Sequence, residues 1–181
     1  SPHLSLCSEP QVWAQLRADH GNPSPFTIKY WEIGNEIYGG RPDMGGSECM
    51  SWGWENSWTC DGVAYINGDA SHDGYKQMRA AMQAVDPSIL VGAVGFEDPA
   101  GYNNWGVEVI QQAGSYMDFY IVHPYAYDTL PPISKTGWAR VLAQPRKKWS
   151  GMKSVLQSAF NTYAAGRQIP IAASEFNVVA V

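Results

Sequence analysis

The sequence predicts an α/β fold built on a parallel sheet. Two observations carry that prediction. Amphipathic helical patterns alternate with short apolar runs along the whole chain, in the order α-β-α-β-α-β-α-β, the pattern that right-handed crossovers between parallel strands produce. Three of the apolar runs also end in polar groups of catalytic type: Asn35-Glu36, His123 with Tyr125, and Glu175 with Asn177.

The elements follow in order. "EPQVWAQLRADHG" places Val12, Leu16 and Asp19 at helical spacing and stops at Gly21. "FTIKYWEIG", residues 26–34, is rich in β-branched and aromatic residues between turn formers and reads as a strand. Residues 38–71 form a Gly/Trp/Ser-rich stretch longer than an ordinary connection, expected to be a loop insertion that carries two cysteines. "HDGYKQMRAAMQAVDP" follows as a helix with Tyr75, Met78, Met82 and Val85 on one face. "SILVGAVGF" is a continuous apolar run suited to a strand buried on both faces.

Residues 102–114 read as a helix stopped by Gly114, and "MDFYIVHPYAY" as the next strand, ending at His123-Pro124. "PRKKWSGMKSVLQSAFNTYAAG" is expected to be a helix with Trp149, Met152, Val155, Leu156 and Phe160 on its apolar side. "QIPIAASEFNVV" closes the series as a strand. The chain begins "SPHLSLC" and stops inside the apolar run "NVVAV", which reads as one segment of a longer protein.

Composition narrows the functional classes. Aromatic residues make up 13% of the 181 positions and charged residues 16%, a composition that folds rather than stays disordered. A formal charge of −5 offers no basic footprint for nucleic acid or an anionic membrane surface. The longest apolar runs fall short of a spanning helix. The histidines at 3, 20, 72 and 123 lack ligand spacing, so no metal is expected. "GAVGF" lacks the glycine spacing of a dinucleotide site, and no cofactor is expected.

Cys49 and Cys60 flank an irregular aromatic segment. A disulfide between them would mark an exported protein, and two free thiols a cytosolic one; export is the expectation. Cys7 would then be free or paired elsewhere. Trp52, Trp54 and Trp58 in the same segment suit a sugar platform or a small loop core equally well.

In a parallel α/β fold the C-terminal ends of the strands share one face. Glu36 and Glu175 would therefore meet despite their distance in sequence. Two carboxylates on one cleft suit glycoside hydrolysis, one donating a proton to the leaving oxygen while the other attacks or stabilises the oxocarbenium-like centre. Aromatic rings fit such a cleft because sugars present apolar C–H faces. The bland alternatives are a helix N-terminal acid at Glu36, a structural ion pair at Glu175 and a satisfied core histidine at His123.

"LRADHGNPSPFTIKYWEIGNE" followed by "MRAAMQAVDPSILVGAVG" resembles the middle of glycoside hydrolase family 51. These are α-L-arabinofuranosidases of the clan A hydrolases. "FYIVHPYAY" and "ASEFN" match the family less specifically. The resemblance implies a (β/α)8 TIM barrel, present here as about strands four to seven. It implies Glu36 as general acid/base and Glu175 as nucleophile of a retaining mechanism. Asn35 would bind the sugar 2-hydroxyl, and His123 and Tyr125 would line the site, with Tyr125 orienting the nucleophile. The implied substrate is an arabinose-containing oligo- or polysaccharide. Other clan A activities, a β-xylosidase or an endo-glycanase, share both glutamates; a non-catalytic carbohydrate-binding relative is the alternative of another class.

Overall fold

The computed structural model describes residues 10–24, 26–40, 61–70, 72–126 and 134–177. The expected Cys49–Cys60 pair, Cys7 and the Trp52, Trp54 and Trp58 cluster lie outside these residues. Among the described residues, helix α1 spans Pro10–Asp19 and strand β1 Tyr30–Ile33, followed by a 3-10 turn, Ile37–Gly40. Helices α2 (Gly62–Asn67) and α3 (Tyr75–Val85) precede strand β2, Leu90–Val94. Helix α4 (Gly101–Ala113), strand β3 (Phe119–Val122), helix α5 (Lys135–Tyr163) and strand β4 (Ile171–Ala173) complete the order.

The four strands form one parallel sheet in the order β1-β2-β3-β4. The sheet is not closed on itself. Side chains alternate across it, as the strand period of two requires. Val91, Ala93, Tyr120 and Val122 enter the core with Trp105, Ile110, Leu156 and Phe160 from the helices. On the opposite face Tyr30, Glu32, Leu90, Phe119 and Ala172 line a groove. His123 continues the Phe119 and Ile121 face beyond the end of β3, so period two aims it away from the helices.

β1 is shorter than the sequence reading of 26–34. Its partner β2 begins at Leu90, whose N–H bonds the carbonyl of Lys29 at 2.7 Å. The residues before that point have no β2 partner and stay outside the ladder. β4 is shorter than its apolar run for a similar reason: Pro124 brings no N–H to the pairing with β3. An isolated parallel bridge, Tyr125 with Asn177, resumes the pairing farther on.

Two helices differ from expectation. α2 lies inside the stretch read as an insertion. It is only six residues long, too short to show a period, but it is well specified. The Asp61 side chain caps it by accepting from the Ala64 N–H at 2.7 Å. Gly62 lets it approach α4 closely, since a Cβ there would stand 2.8 Å from the Trp105 carbonyl and 2.7 Å from Glu108 Cβ. α5 begins at Lys135 rather than Pro145, capped by the Ser134 hydroxyl. Its first turns expose Trp138 and Leu142, so they carry no core-facing period.

The apolar faces also need correction. In α3, Tyr75 is buried, but Met78 and Val85 are exposed. In α5, Met152, Leu156 and Phe160 are buried, while Trp149 and Val155 are exposed. Val12 and Leu16 of α1 are exposed as well. The narrower stripes follow from helices that pack on one side only, against the sheet and a neighbouring helix.

Candidate active site

The strand ends are tied together by phenol hydroxyls. Tyr65 of α2 donates to the Ile33 carbonyl at 2.8 Å and accepts from the Val94 N–H at 3.0 Å, joining the ends of β1 and β2. Tyr120 accepts from the Phe96 N–H at 2.9 Å and donates to the Phe96 carbonyl at 3.0 Å. Trp105 Nε1 donates to the Val94 carbonyl at 3.1 Å. These backbone groups lie just past the sheet ladder, where they would otherwise go unpaired, and the ring donors satisfy them. The misread helix α2 thus supports the strand end that carries Glu36.

Glu36 follows β1 through Gly34 and Asn35. Its backbone is left-handed, with φ 44°, a conformation that costs a residue bearing a Cβ about 1–3 kcal/mol and collects at functional sites. The two residues after it, Ile37 and Tyr38, are buried. The Tyr38 ring packs on Phe96, Tyr102 and Trp105, at centroid distances of 5.1, 4.5 and 6.2 Å. Its hydroxyl donates to the Glu36 carboxylate. Burial raises the Tyr38 pKa well above the ordinary phenol value, and the Glu36 charge raises it further.

The opposite wall comes from the ends of β3 and β4. His123 Nδ1 lies 3.0 Å from Glu36 Oε1 and 3.6 Å from Glu175 Oε2. Its Nε2 lies 3.2 Å from Ser174 Oγ. Tyr125 donates its hydroxyl proton to Glu175 Oε1. That hydrogen bond pushes the Tyr125 pKa up to about 12, with lesser contributions from burial and from the Glu175 and Glu36 charges. Nearby, an apolar cavity of about 480 Å³ is lined by Pro124, Pro145, Trp149, Ala173 and Phe176.

The structure therefore brings together four of the five residues singled out from the sequence: Glu36, His123, Tyr125 and Glu175. Donor atoms of Glu36, His123 and Glu175 all lie within 4.8 Å of one another. That spacing would also admit a divalent ion, but the hydrogen bonds already tie these groups to each other and to Ser174 and Tyr125. The arrangement suits proton transfer and nucleophilic attack on one substrate. Asn35 is exposed in the turn before Glu36, on the same rim. Sequence reasoning missed Tyr38 and Ser174. Each is adjacent or nearly adjacent to a glutamate, and that proximity was the available signal.

A model of the alpha-L-arabinofuranosidase 1 domain matches residues 3–47. Over 130 residues, 67% of this chain, it is 28% identical to the intracellular exo-α-(1→5)-L-arabinofuranosidase of Halalkalibacterium halodurans. Identity to the corresponding Bacillus subtilis enzyme is 26% over 130 residues. The matches cover 21% of each of these relatives, so the chain spans about a fifth of their length. The α-L-arabinofuranosidase of Thermotoga maritima, solved with arabinose, superposes on 93% of this chain and 29% of its own, with TM-score 0.59 and 26% identity. A family 51 α-L-arabinofuranosidase from Bifidobacterium longum shares the fold at TM-score 0.64 and 18% identity, over 94% of this chain and 30% of its own.

The expectation of export does not stand. Three of the curated relatives are named intracellular enzymes, and the disulfide that motivated export rested on the short spacing of Cys49 and Cys60 and the irregular segment between them. The matched segment, the relatives and the fold agree in their likeness to α-L-arabinofuranosidases, and the chain spans part of the length of those proteins.

Proposed function

We propose that the protein to which this chain belongs is a retaining, exo-acting α-L-arabinofuranosidase acting on arabinose-containing oligo- or polysaccharides. In this reading residues 1–181 are part of a (β/α)8 TIM barrel, about strands four to seven. β1 to β4 are those strands, and the unclosed sheet and the strand-end site support the assignment. The observation that carries the reading is the meeting of Glu36 and Glu175, each at the end of its own parallel strand, with donor atoms no more than 4.8 Å apart. Retaining glycosidases hold their carboxyl groups ~5–5.5 Å apart and inverting ones ~6.5–9.5 Å, which leaves the latter room for a water.

The chemistry then divides between the two carboxyls. Glu36 gives its proton to the leaving glycosidic oxygen as Glu175 attacks the anomeric carbon. Water, deprotonated by Glu36, then releases the sugar from Glu175. Tyr125 holds Glu175 in line for attack. Asn35 binds the 2-hydroxyl, a contact that strengthens as charge develops on the ring. The test is a panel of nitrophenyl glycosides assayed on the full-length protein. Selective release from the α-L-arabinofuranoside, with retained configuration in the first-formed product, is expected. Preference for a β-xyloside, hydrolysis only within polymers, or binding without turnover would defeat the assignment.

A further inference from the structure

Tyr38 carries a hydroxyl at a position where packing alone would be served by phenylalanine. Its ring is 5% exposed and sits among the rings of Phe96, Tyr102 and Trp105. Two of those neighbours are themselves anchored. Trp105 Nε1 donates to the Val94 carbonyl at 3.1 Å, and the Tyr120 hydroxyl holds the Phe96 backbone at both its N–H and its carbonyl. A buried phenol costs stability unless its hydroxyl finds a partner. The partner that Tyr38 meets is the Glu36 carboxylate, two residues back in the chain. Left-handed backbone at Gly34 and Glu36, with φ 92° and 44°, turns the chain out of β1 and into the Ile37–Gly40 turn that brings the two side chains together.

Glu36 is therefore gripped from two sides. Tyr38 reaches it from the turn after β1, and His123 Nδ1 lies 3.0 Å away at the end of β3. That nitrogen faces both glutamates, so it carries a proton and donates. A carboxylic acid keeps acceptor sites beside its single O–H. Both donors can stay in place while the Glu36 proton is aimed at the substrate. The phenol keeps its own proton, because burial and the Glu36 charge both oppose its ionisation.

We propose that Tyr38 is a positioning residue for the acid/base, its hydroxyl fixed by the surrounding rings so that it orients the Glu36 carboxyl in both steps. The inference rests on the retaining mechanism proposed above. In the first step the Glu36 proton passes to the leaving oxygen, the glycosidic bond breaks, and the bond from the anomeric carbon to Glu175 forms. In the second, water gives a proton to Glu36 and its oxygen to the anomeric carbon, and the bond to Glu175 breaks. Tyr38 gains and loses no proton in either step. Its contribution is alignment, and a reacting group misplaced by about 1 Å can cost roughly 100-fold in rate.

The test uses the full-length protein and Tyr38→Phe, which removes one oxygen and keeps the ring. On an unactivated arabinoside kcat/KM, which reports the first step, should fall ~10–100-fold, the worth of a hydrogen bond to a charged group. On an activated aryl arabinoside, whose leaving group needs little protonation, kcat/KM should fall less than about threefold. The kcat on that substrate should fall through the second step and recover with added azide. In the Glu36→Ala background Tyr38→Phe should add no further loss, because residues that act through one another are not additive. An equal loss on both substrates, full additivity with Glu36→Ala, or no loss at all overturns the proposal. If the parent protein hydrolyses no glycoside, the functional reading fails and crystal structures of the parent and Tyr38→Phe proteins decide the role of Tyr38. A Glu36 side chain that leaves its parent rotamer in the variant supports the role, and one that stays in place overturns it.

Discussion

The two glutamates are mounted in opposite ways. Glu36 is 16% exposed and sits in a strained left-handed turn backed by the Tyr38, Phe96, Tyr102 and Trp105 rings. Glu175 is 44% exposed and follows a three-residue strand, between the exposed Ser174 and Phe176. Its position depends on Tyr125 and His123, both from the neighbouring strand. An acid/base has to change protonation twice per turnover without moving, which favours a packed, desolvated mount. A nucleophile has to form and break a bond to carbon, and a side chain steered by one strong hydrogen bond meets that need with less surrounding structure.

The largest effect should come from the less supported mount. If Glu175 is the nucleophile proposed above, Glu175→Ala removes the covalent route, and turnover of every arabinoside should fall by roughly 10⁴-fold or more. Steady-state assays with both activated and natural substrates check this. Appreciable residual activity on any of them would remove Glu175 from the nucleophile's role.

Glu36→Ala should divide substrates by leaving group. An unactivated arabinoside should lose ~10²–10⁴-fold, the usual contribution of a positioned acid or base. An activated aryl arabinoside should still react in the first step, because its leaving group needs little protonation. Added azide should speed the second step by attacking the glycosyl-enzyme without base assistance. A glycosyl azide in the products would confirm the division of roles; failure of azide to rescue the variant would oppose it.

Tyr125→Phe tests how far Glu175 depends on its single strong partner. Loss of a hydrogen bond to a charged group costs ~1.5–3 kcal/mol, or about 10–100-fold in kcat if the bond persists in the transition state. KM should change little. If KM rises while kcat holds, Tyr125 binds sugar rather than steering the nucleophile.

The strained mount of Glu36 predicts a sign reversal in stability. Replacing glycine with alanine at an unstrained site stabilises by ~0.4–1 kcal/mol through the unfolded chain. At φ 44° the order should invert, with Glu36→Gly more stable than Glu36→Ala by about 1 kcal/mol. Both variants lose the same carboxylate, so their difference isolates the backbone. Denaturant melts of the pair measure it, and Glu36→Ala proving the more stable would remove the strain from the argument.

The same contrast explains what could be read from the sequence. β2 and β3 are buried on both faces and announce themselves as continuous apolar runs. The site residues at the strand ends were legible because each polar group interrupts such a run. α2 was not legible, since six residues show no period and its fixing contacts, Asp61 to Ala64 and Glu108 to Gly62, depend on partners near and far in the chain. Ser174 and Tyr38 stayed hidden because a serine or tyrosine hydroxyl carries no pattern until the fold shows which group it meets. The short β1 reflects where its partner begins, which lies far along the chain.

The smallest effect is spectroscopic and addresses the Tyr125–Glu175 contact directly. A free phenol ionises near pH 10. Tyr125 is pushed up to about 12, chiefly because the Glu175 carboxylate accepts its proton in a hydrogen bond. A folded-state value above the unfolded one means the native state keeps a proton that the unfolded chain gives up. This contribution to stability is therefore complete below pH 10 and is lost as pH rises from about 10 to about 12. Glu175→Gln replaces the anion with a neutral amide of the same shape, so the Tyr125 ionisation should move back toward 10. Ultraviolet difference titration of the two proteins, with Tyr125→Phe identifying the resonating ring, would read the shift. An identical titration in parent and Glu175→Gln proteins would mean that Tyr125 does not hold Glu175 in solution, and the contrast between the two mounts would lose its second half.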